Sequence, residues 1–288
     1  MIVVTGATGH LGRLVIDGLL KKVPASEIVA AVRTPEKAHD LAERGVQVRM
    51  ADYKQPKSLE TALQGAAKLL LISSNDIGHY EVQHKAVIDA AKRAGIGFVV
   101  YTSLLHADTS PLKIAVEHLA TERYLRASGM AFSLLRNGWY FENQTAAIPF
   151  AIESGAFIGA SGDGRYAAAA RADYAEAAVS VLTGEGHDNT IYELGGDFPY
   201  TRSELAAEVS KQLGKKVAYR NLPEEEYEKI LAKFVPSVAA HVIADAEANA
   251  AAGALDDNSH TLSRLIGRKT TLLADAVADA LKTPVATH

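Results

Sequence analysis

The stretch Ile2-Val3-Val4-Thr5-Gly6-Ala7-Thr8-Gly9-His10-Leu11-Gly12 carries the reading of the whole chain. Its opening is an apolar, β-branched run that reads as a strand. Gly6, Gly9 and Gly12 then recur three apart, and Leu11, Leu14, Val15, Leu19 and Leu20 follow at helical spacing. Gly6 permits a tight turn, Gly9 lets a ligand approach the backbone, and Gly12 lets the helix pack close to the strand. The unpaired N–H groups and the dipole at a helix start favour an anion. The segment therefore predicts a cradle for a dinucleotide pyrophosphate formed by Gly6, Ala7, Thr8, Gly9, His10, Leu11 and Gly12.

Outward from this turn, short apolar runs alternate with amphipathic stretches. Strands are expected over residues 28–33, 46–50, 69–73, 98–103 and 132–136. Helices are expected over residues 11–22, 35–44, 58–63, 82–94 and 112–127. The strands are apolar without strict alternation, as in Leu69-Leu70-Leu71-Ile72, which marks strands covered on both faces. Strand alternating with helix at these lengths predicts an α/β fold, a Rossmann-type doubly wound parallel sheet. The regularity breaks after Trp139. Residues 157–159 and 165–169 flank Ser161-Gly162-Asp163-Gly164 and read as a hairpin. Residues 190–194 read as a strand returning to the sheet. Thr201 and Glu204 have capping-box spacing ahead of a helix, and the chain from Pro223 reads as helices. The expected division is a nucleotide-binding domain over 1–140, with 172–196 returning to it, and a small C-terminal α/β lobe over 141–171 and 197–288.

The end of the second strand reads the nicotinamide cofactor. An acid there would accept from a ribose 2′-hydroxyl and repel a 2′-phosphate. The chain has Ala31-Val32-Arg33-Thr34 instead, and the planar guanidinium of Arg33 suits a phosphate, with Lys37 one helical turn on. The expected cofactor is NADPH. Asp52-Tyr53 ends the third strand, where it can border an adenine or serve the next helix as a turn carboxylate. Ser73-Ser74-Asn75 ends the fourth strand and should line the same cleft, since ligands in doubly wound sheets lie outside the carboxyl ends of the strands.

Composition narrows the remainder. The 288 residues are 48% hydrophobic and 22% charged with a formal net charge of -4, so no general basic field attracts nucleic acid. With no cysteine, thiolate chemistry, disulfides and cysteine-ligated metals are excluded. The histidines are scattered without metal-ligand spacing, and no metal is expected. Ser103 lies outside any G-x-S-x-G elbow, and no triphosphate-binding loop exists. The apolar start lacks a basic leader and no apolar run reaches transmembrane length, so a cytoplasmic protein without membrane insertion is expected.

The glycine turn, Arg33 and the segment Tyr101-Thr102-Ser103-Leu104-Leu105-His106-Ala107 resemble the short-chain dehydrogenase superfamily. So does Ala127-Ser128-Gly129-Met130 running into Ser133-Leu134-Leu135-Arg136-Asn137-Gly138-Trp139-Tyr140, and Arg171-Ala172-Asp173-Tyr174-Ala175 extends the likeness over nearly the whole chain. More narrowly, the chain resembles the NmrA-like atypical branch. That resemblance implies NADPH contacts from the glycine turn, Arg33, Ser73–Asn75 and the Asn137, Gly138, Trp139 and Tyr140 loop. It also implies a quinone as small-molecule substrate between the two parts of the chain, and it leaves a homodimer as one option for assembly.

One departure bears on mechanism. Typical superfamily members place a Tyr-x-x-x-Lys pair on the helix after the fifth strand, the tyrosine protonating a carbonyl oxygen. Here Ile114 stands at the tyrosine position and His118 at the lysine position, with Ser103 still offering a hydroxyl. Ser103 and His118 are thus the only candidate catalytic side chains. Hydride addition to a quinone gives a phenolate, far less basic than an alkoxide, so a positioned acid is less necessary and proximity can carry most of the catalysis. Direct, flavin-free reduction of a quinone is the expected activity. A cofactor-binding redox sensor without turnover is the alternative. Trp139 and Tyr140 could stack on a planar ring, Phe141, Asn143, Ile148 and Phe150 completing the candidate substrate wall. Glu122 and Arg126 read as an i,i+4 surface pair.

Overall fold

β1 (Ile2–Thr5) enters the glycine turn and α1 (His10–Leu19) leaves it. β2 (Ile28–Val32) is followed by a 3-10 turn over Pro35–Ala38 and by α2 (His39–Glu43). Three further steps pair β3 (Gln47–Met50) with α3 (Pro56–Leu63), β4 (Lys68–Leu71) with α4 (Tyr80–Arg93), and β5 (Phe98–Leu104) with α5 (Ala115–Ala127). β6 (Ala131–Asn137), α6 (Phe141–Thr145), α7 (Ile148–Ser154), β7 (Ala156–Gly159), β8 (Arg165–Tyr166), α8 (Arg171–Thr183) and β9 (Thr190–Leu194) come next. β10 (Tyr200–Thr201), α9 (Arg202–Leu213), β11 (Ala218–Asn221), α10 (Glu224–Leu231), α11 (Ser237–Ala250), α12 (Thr261–Ile266) and α13 (Leu273–Lys282) complete the chain as a computed structural model describes it, over residues 1–282.

The main sheet has the order β3-β2-β1-β4-β5-β6-β9. β1 pairs in parallel with β2 on one side and with β4 on the other. The chain moves outward from β1 to β3, returns across β1 to β4, and continues outward in the opposite direction. The order therefore reverses between β1 and β4, where doubly wound sheets hold their ligands. β1, β2 and β5 are buried throughout, and β4 in all but its first residue, Lys68. Val3, Val29, Leu69, Leu71, Val99 and Tyr101 pack with Leu59, Leu63, Val87, Ile88 and Ala91 from α3 and α4 into one core.

The chain divides into two compact units. The first comprises residues 1–108, 116–137 and 174–192, and the second 109–115, 138–173 and 193–288. Residues 109–115, expected with the nucleotide-binding part, group with the second unit. Among the described residues no helix is long and apolar enough to cross a membrane.

Two local expectations are corrected. Residues 35–44 do not form one helix. Arg13 donates to the carbonyl of Lys37 at 2.8 Å, which in an unbroken α-helix would serve the amide of Leu41. Residues 157–169 do not form a hairpin either. β7 pairs in parallel with β11 and β8 antiparallel with β10. The turn exists, with Gly164 N donating to Ser161 O at 2.8 Å. Its amides are claimed by β11, the first arm's partner, Ser161 N donating to Tyr219 Oη at 3.1 Å and Gly162 N to Asn221 Oδ1 at 2.8 Å. The two arms leave the turn for different partners. The capping box is present as expected, Thr201 Oγ1 accepting from Glu204 N and Glu204 reaching back to Thr201 N.

Candidate cofactor site

In the first unit a cavity of about 330 Å³ lies at the carboxyl ends of β1 to β4. Gly6, Thr8 and Gly9 form its floor. Gly6 has φ +59°, a conformation that side chains disfavour, and its carbonyl accepts from Gly9 N at 2.9 Å. A Cβ on Gly12 would stand 2.4 Å from Gly6 O and 2.7 Å from Ala7 Cα, so only glycine lets α1 start this close to the turn. No side chain caps α1 and its first turn carries no acid, which leaves the positive end of its dipole open to an anion. Ala7, Leu11 and Gly12 are buried behind the turn, while His10 is exposed at the first helical residue and is not part of the cavity wall.

Arg33, Thr34 and Lys37 line the cavity beyond β2. Arg33 and Lys37 are exposed there, and no acid follows β2 before Glu36. Beyond β3, Tyr53 donates to Ile72 O at 3.4 Å, and burial pushes its phenol up to about 12, so it stays neutral. The Asp52 carboxylate accepts from Lys54 N at 2.9 Å and Gln55 Nε2 at 3.1 Å. It closes the turn into α3 while also lining the cavity. Ser73, Ser74 and Asn75 line it beyond β4. The Ser74 hydroxyl is already engaged, donating to Gln83 Oε1 at 2.6 Å and accepting from Asp76 N at 3.1 Å. Lys54 and Asp76 form an ion pair of 3.2 Å, and the Lys54 hydrogen bond holds the Asp76 carboxyl below the usual range. Sequence reading missed Lys54, Asp76 and Gln83, although Lys54 and Asp76 directly follow strand-end segments that it had marked; Gln83 reaches the cavity from α4.

The two candidate catalytic side chains face inward. Ser103 is buried and donates to Glu122 Oε1 at 2.6 Å. Glu122 is no surface residue. It is 1% exposed and holds Arg136 through Nε at 2.9 Å and Nη2 at 2.7 Å, whereas Arg126 stands 3.9 Å away. Arg136 also reaches Asp108 at 2.9 Å. His118 Nδ1 lies 2.8 Å from Tyr101 Oη, with its ring edge-on to Tyr80. Burial pulls the imidazole down to about 4, so it is neutral near pH 7. Neither Ser103 nor His118 lines the cavity. Ile114, at the missing tyrosine's position, precedes α5. Asn137 ends β6, and its carbonyl accepts from Leu105 N at 3.0 Å.

In the second unit, Gly138 N donates to Leu194 O at 2.9 Å. Trp139 and Tyr140 are half-buried in a short run bridged to Ala169. The Arg171 guanidinium lies 5.1 Å over the Tyr140 ring and donates to Asn143 Oδ1 at 2.6 Å. Phe141 is buried and stacks on Tyr200 with centroids 5.4 Å apart, and Ile148 is buried as well. Exposed Phe150 meets exposed Phe234 edge-on at 5.9 Å. A cavity of about 500 Å³ in this unit is lined by Phe141, Glu142, Thr145 and Pro149 with residues of α13. Of the expected substrate wall, only Phe141 borders it. Among the described residues no cluster of histidines and carboxylates could hold a metal.

A parallel sheet that reverses at β1/β4, with a glycine cradle and an uncapped helix at the reversal, defines a Rossmann-type α/β protein. The chain belongs to the NmrA-like family, whose model matches residues 1–275. It is 53% identical over 279 residues to quinone oxidoreductase 2 of Escherichia coli K12, covering 96% of this chain and 98% of that protein. The crystal structure of an E. coli NADPH-dependent quinone oxidoreductase complexed with NADPH superposes with a TM-score of 0.95 at 53% identity, covering 98% of this chain and all of that one. The Citrobacter sp. triphenylmethane reductase complexed with NADP(H) superposes with a TM-score of 0.93 at 40% identity, over 97% of this chain and all of that one.

Proposed function

We propose that this chain reduces quinones with NADPH. The observation that carries the reading is the cradle combined with Arg33 and Lys37 on its wall, where an acid would select the unphosphorylated ribose. The uncapped start of α1 and the space that only glycine leaves at Gly12 fit a diphosphate, and the two cations fit a 2′-phosphate. NADPH supplies the hydride when bound. The E. coli relative, similar over nearly the full length of both chains, is named for this activity.

In this reading Gly6 to Gly9 and the start of α1 bind the pyrophosphate, Ala7, Leu11 and Gly12 hold the turn in shape, and His10 stands at its rim. Asp52 and Tyr53 border the adenine. Ser73, Ser74 and Asn75 hold the cofactor's edge, and Asn137, Gly138, Trp139 and Tyr140 continue its contacts. Trp139 and Tyr140 offer aromatic faces to a planar ring. Asn143 offers a hydrogen bond, with Phe141 and Ile148 backing the wall and Phe150 at its exposed side. Ser103 and His118 have other partners, so the reading gives neither the role of acid. A quinone suits such a site because the phenolate formed on hydride addition is weakly basic and takes its proton from solvent. A homodimer and a cytoplasmic location belong to the same proposal.

Steady-state oxidation of NADPH and NADH with a panel of simple quinones tests it. NADPH should turn over with at least one quinone, and NADH much more slowly. A cationic triarylmethane dye belongs in the panel, because hydride capture at its central carbon needs no proton. Tight NADPH binding with no turnover on any acceptor would favour the sensor alternative.

A further inference from the structure

The loop leaving β4 meets the cavity with its amides already committed. Ile72 N donates to Thr5 Oγ1 at 3.0 Å, Ser73 N to Thr102 Oγ1 at 2.8 Å and Ser74 N to His84 Nε2 at 2.9 Å. The acceptors belong to β1, β5 and α4, so three elements hold three consecutive residues. Threonines on neighbouring strands are ordinary in a sheet. His84 is not ordinary. It lies on the buried stripe Tyr80, His84, Val87, Ile88 and Ala91 of α4, where an aliphatic side chain would pack without any polar atom to satisfy.

Both ring nitrogens are in use. Because the Ser74 amide can only donate, Nε2 accepts, and the ring proton sits on Nδ1. Nδ1 lies 2.9 Å from Thr121 Oγ1, whose own hydroxyl donates to Glu117 O at 3.0 Å. The carboxylate of Glu117 accepts from Gly78 N and Tyr80 N, each at 2.9 Å, and so holds the far end of the same loop. Between these anchors Gln83 ties Ser74 Oγ to Asp76, with Nε2 2.6 Å from the Asp76 carboxylate. His84 itself does not line the cavity.

We propose that His84, as the Nδ1–H tautomer, is a positioning residue for NADPH. Through the Ser74 backbone it holds the 73–76 edge of the cavity in the shape that the cofactor needs. The inference rests on reading this cavity as the NADPH site. Burial pulls the imidazole down to about 3, so the acceptor lone pair on Nε2 persists at every pH at which the fold is intact near neutrality. Losing the contact would take the partner from the half-buried Ser74 amide and free the loop to move, which affects cofactor affinity and leaves the reacting ring untouched.

The test compares His84→Leu, which removes the acceptor at similar volume, with His84→Gln, whose side-chain oxygen can reach the Ser74 amide. His84→Leu should raise Kd and KM for NADPH up to about tenfold, the loss expected for one hydrogen bond. Its kcat at saturating NADPH should stay within about twofold of wild type, and His84→Gln should recover most of the affinity. Thr121→Val leaves the imidazole in place but removes the hydroxyl that accepts from its Nδ1–H. It reads the same shift, about threefold, should the leucine variant fail to fold. Wild-type affinity for NADPH in Thr121→Val, or a glutamine variant as impaired as the leucine one, overturns the proposal. A wild-type chain that does not bind NADPH at all removes the cofactor reading beneath it, and a wild-type titration separates that failure from the first.

Discussion

In the proposed function, Arg33 is the residue on which cofactor choice turns. It stands exposed beyond β2 on the cavity wall, with Lys37 beside it. A guanidinium meets a phosphate through paired, charge-assisted hydrogen bonds, each worth about 1.5–3 kcal/mol. Arg33→Ala is therefore expected to lower kcat/KM for NADPH by about 10- to 100-fold while leaving the slower NADH reaction nearly unchanged. Steady-state rates with both cofactors check this. Equal losses with both would mean that Arg33 does not read the 2′-phosphate. Arg33 was legible in the sequence because the position it occupies, at the end of the second strand, has a fixed meaning in this fold. His84 and Glu122 were not, because sequence spacing says which face a residue occupies and nothing about which partner waits there. A trace was present for His84, a lone polar residue on an otherwise apolar helical stripe.

At the scale of the element, α5 is unusual. Its buried face carries His118, Thr121 and Glu122, with Leu125 the large apolar residue among them. Such a face is stable only if every group is matched, and here each is, to Tyr101, His84, Ser103 and Arg136. Glu122→Leu would strand the buried Arg136 guanidinium. Removing one partner of a buried pair costs about 3–5 kcal/mol, and urea unfolding should report a loss of that size. A loss under about 1 kcal/mol, as for an exposed pair, would contradict it. Glu122 and Arg126 do stand within ion-pair distance, at 3.9 Å, but Glu122 is buried rather than on the surface, because i,i+4 spacing is equally available to a residue whose stronger partner lies on a strand. The β7 and β8 arms failed for a related reason. Turn residues announce a turn, but the partners of its arms lie far along the chain, and β11 and β10 took them. The strand–helix alternation and the capping box at Thr201 were read correctly because their causes are local.

For the whole molecule, two buried neutral histidines set a pH dependence. Burial depresses His84 to about 3 and His118 to about 4, against an ordinary value of 6.5 in the unfolded chain. Between these limits the unfolded chain binds more protons than the fold, so stability falls as pH drops below 6.5. At pH 5 both remain neutral in the fold, and each should have cost about 2 kcal/mol relative to pH 7. Denaturant unfolding at the two pH values measures this, and stability that is flat from pH 7 to pH 5 would contradict the burial of neutral imidazoles.

Hydride passes from NADPH to a quinone in a chain whose Ser103 and His118 are occupied elsewhere. A single-turnover experiment tests it most directly. The purified chain, loaded with one equivalent of NADPH and no flavin, is mixed with excess 1,4-benzoquinone while the nicotinamide absorbance is followed. One equivalent of NADPH per chain should be lost, with matching hydroquinone formed, faster than in the protein-free control. Bound NADPH that is oxidised no faster than in that control, with this and every other quinone, would contradict it.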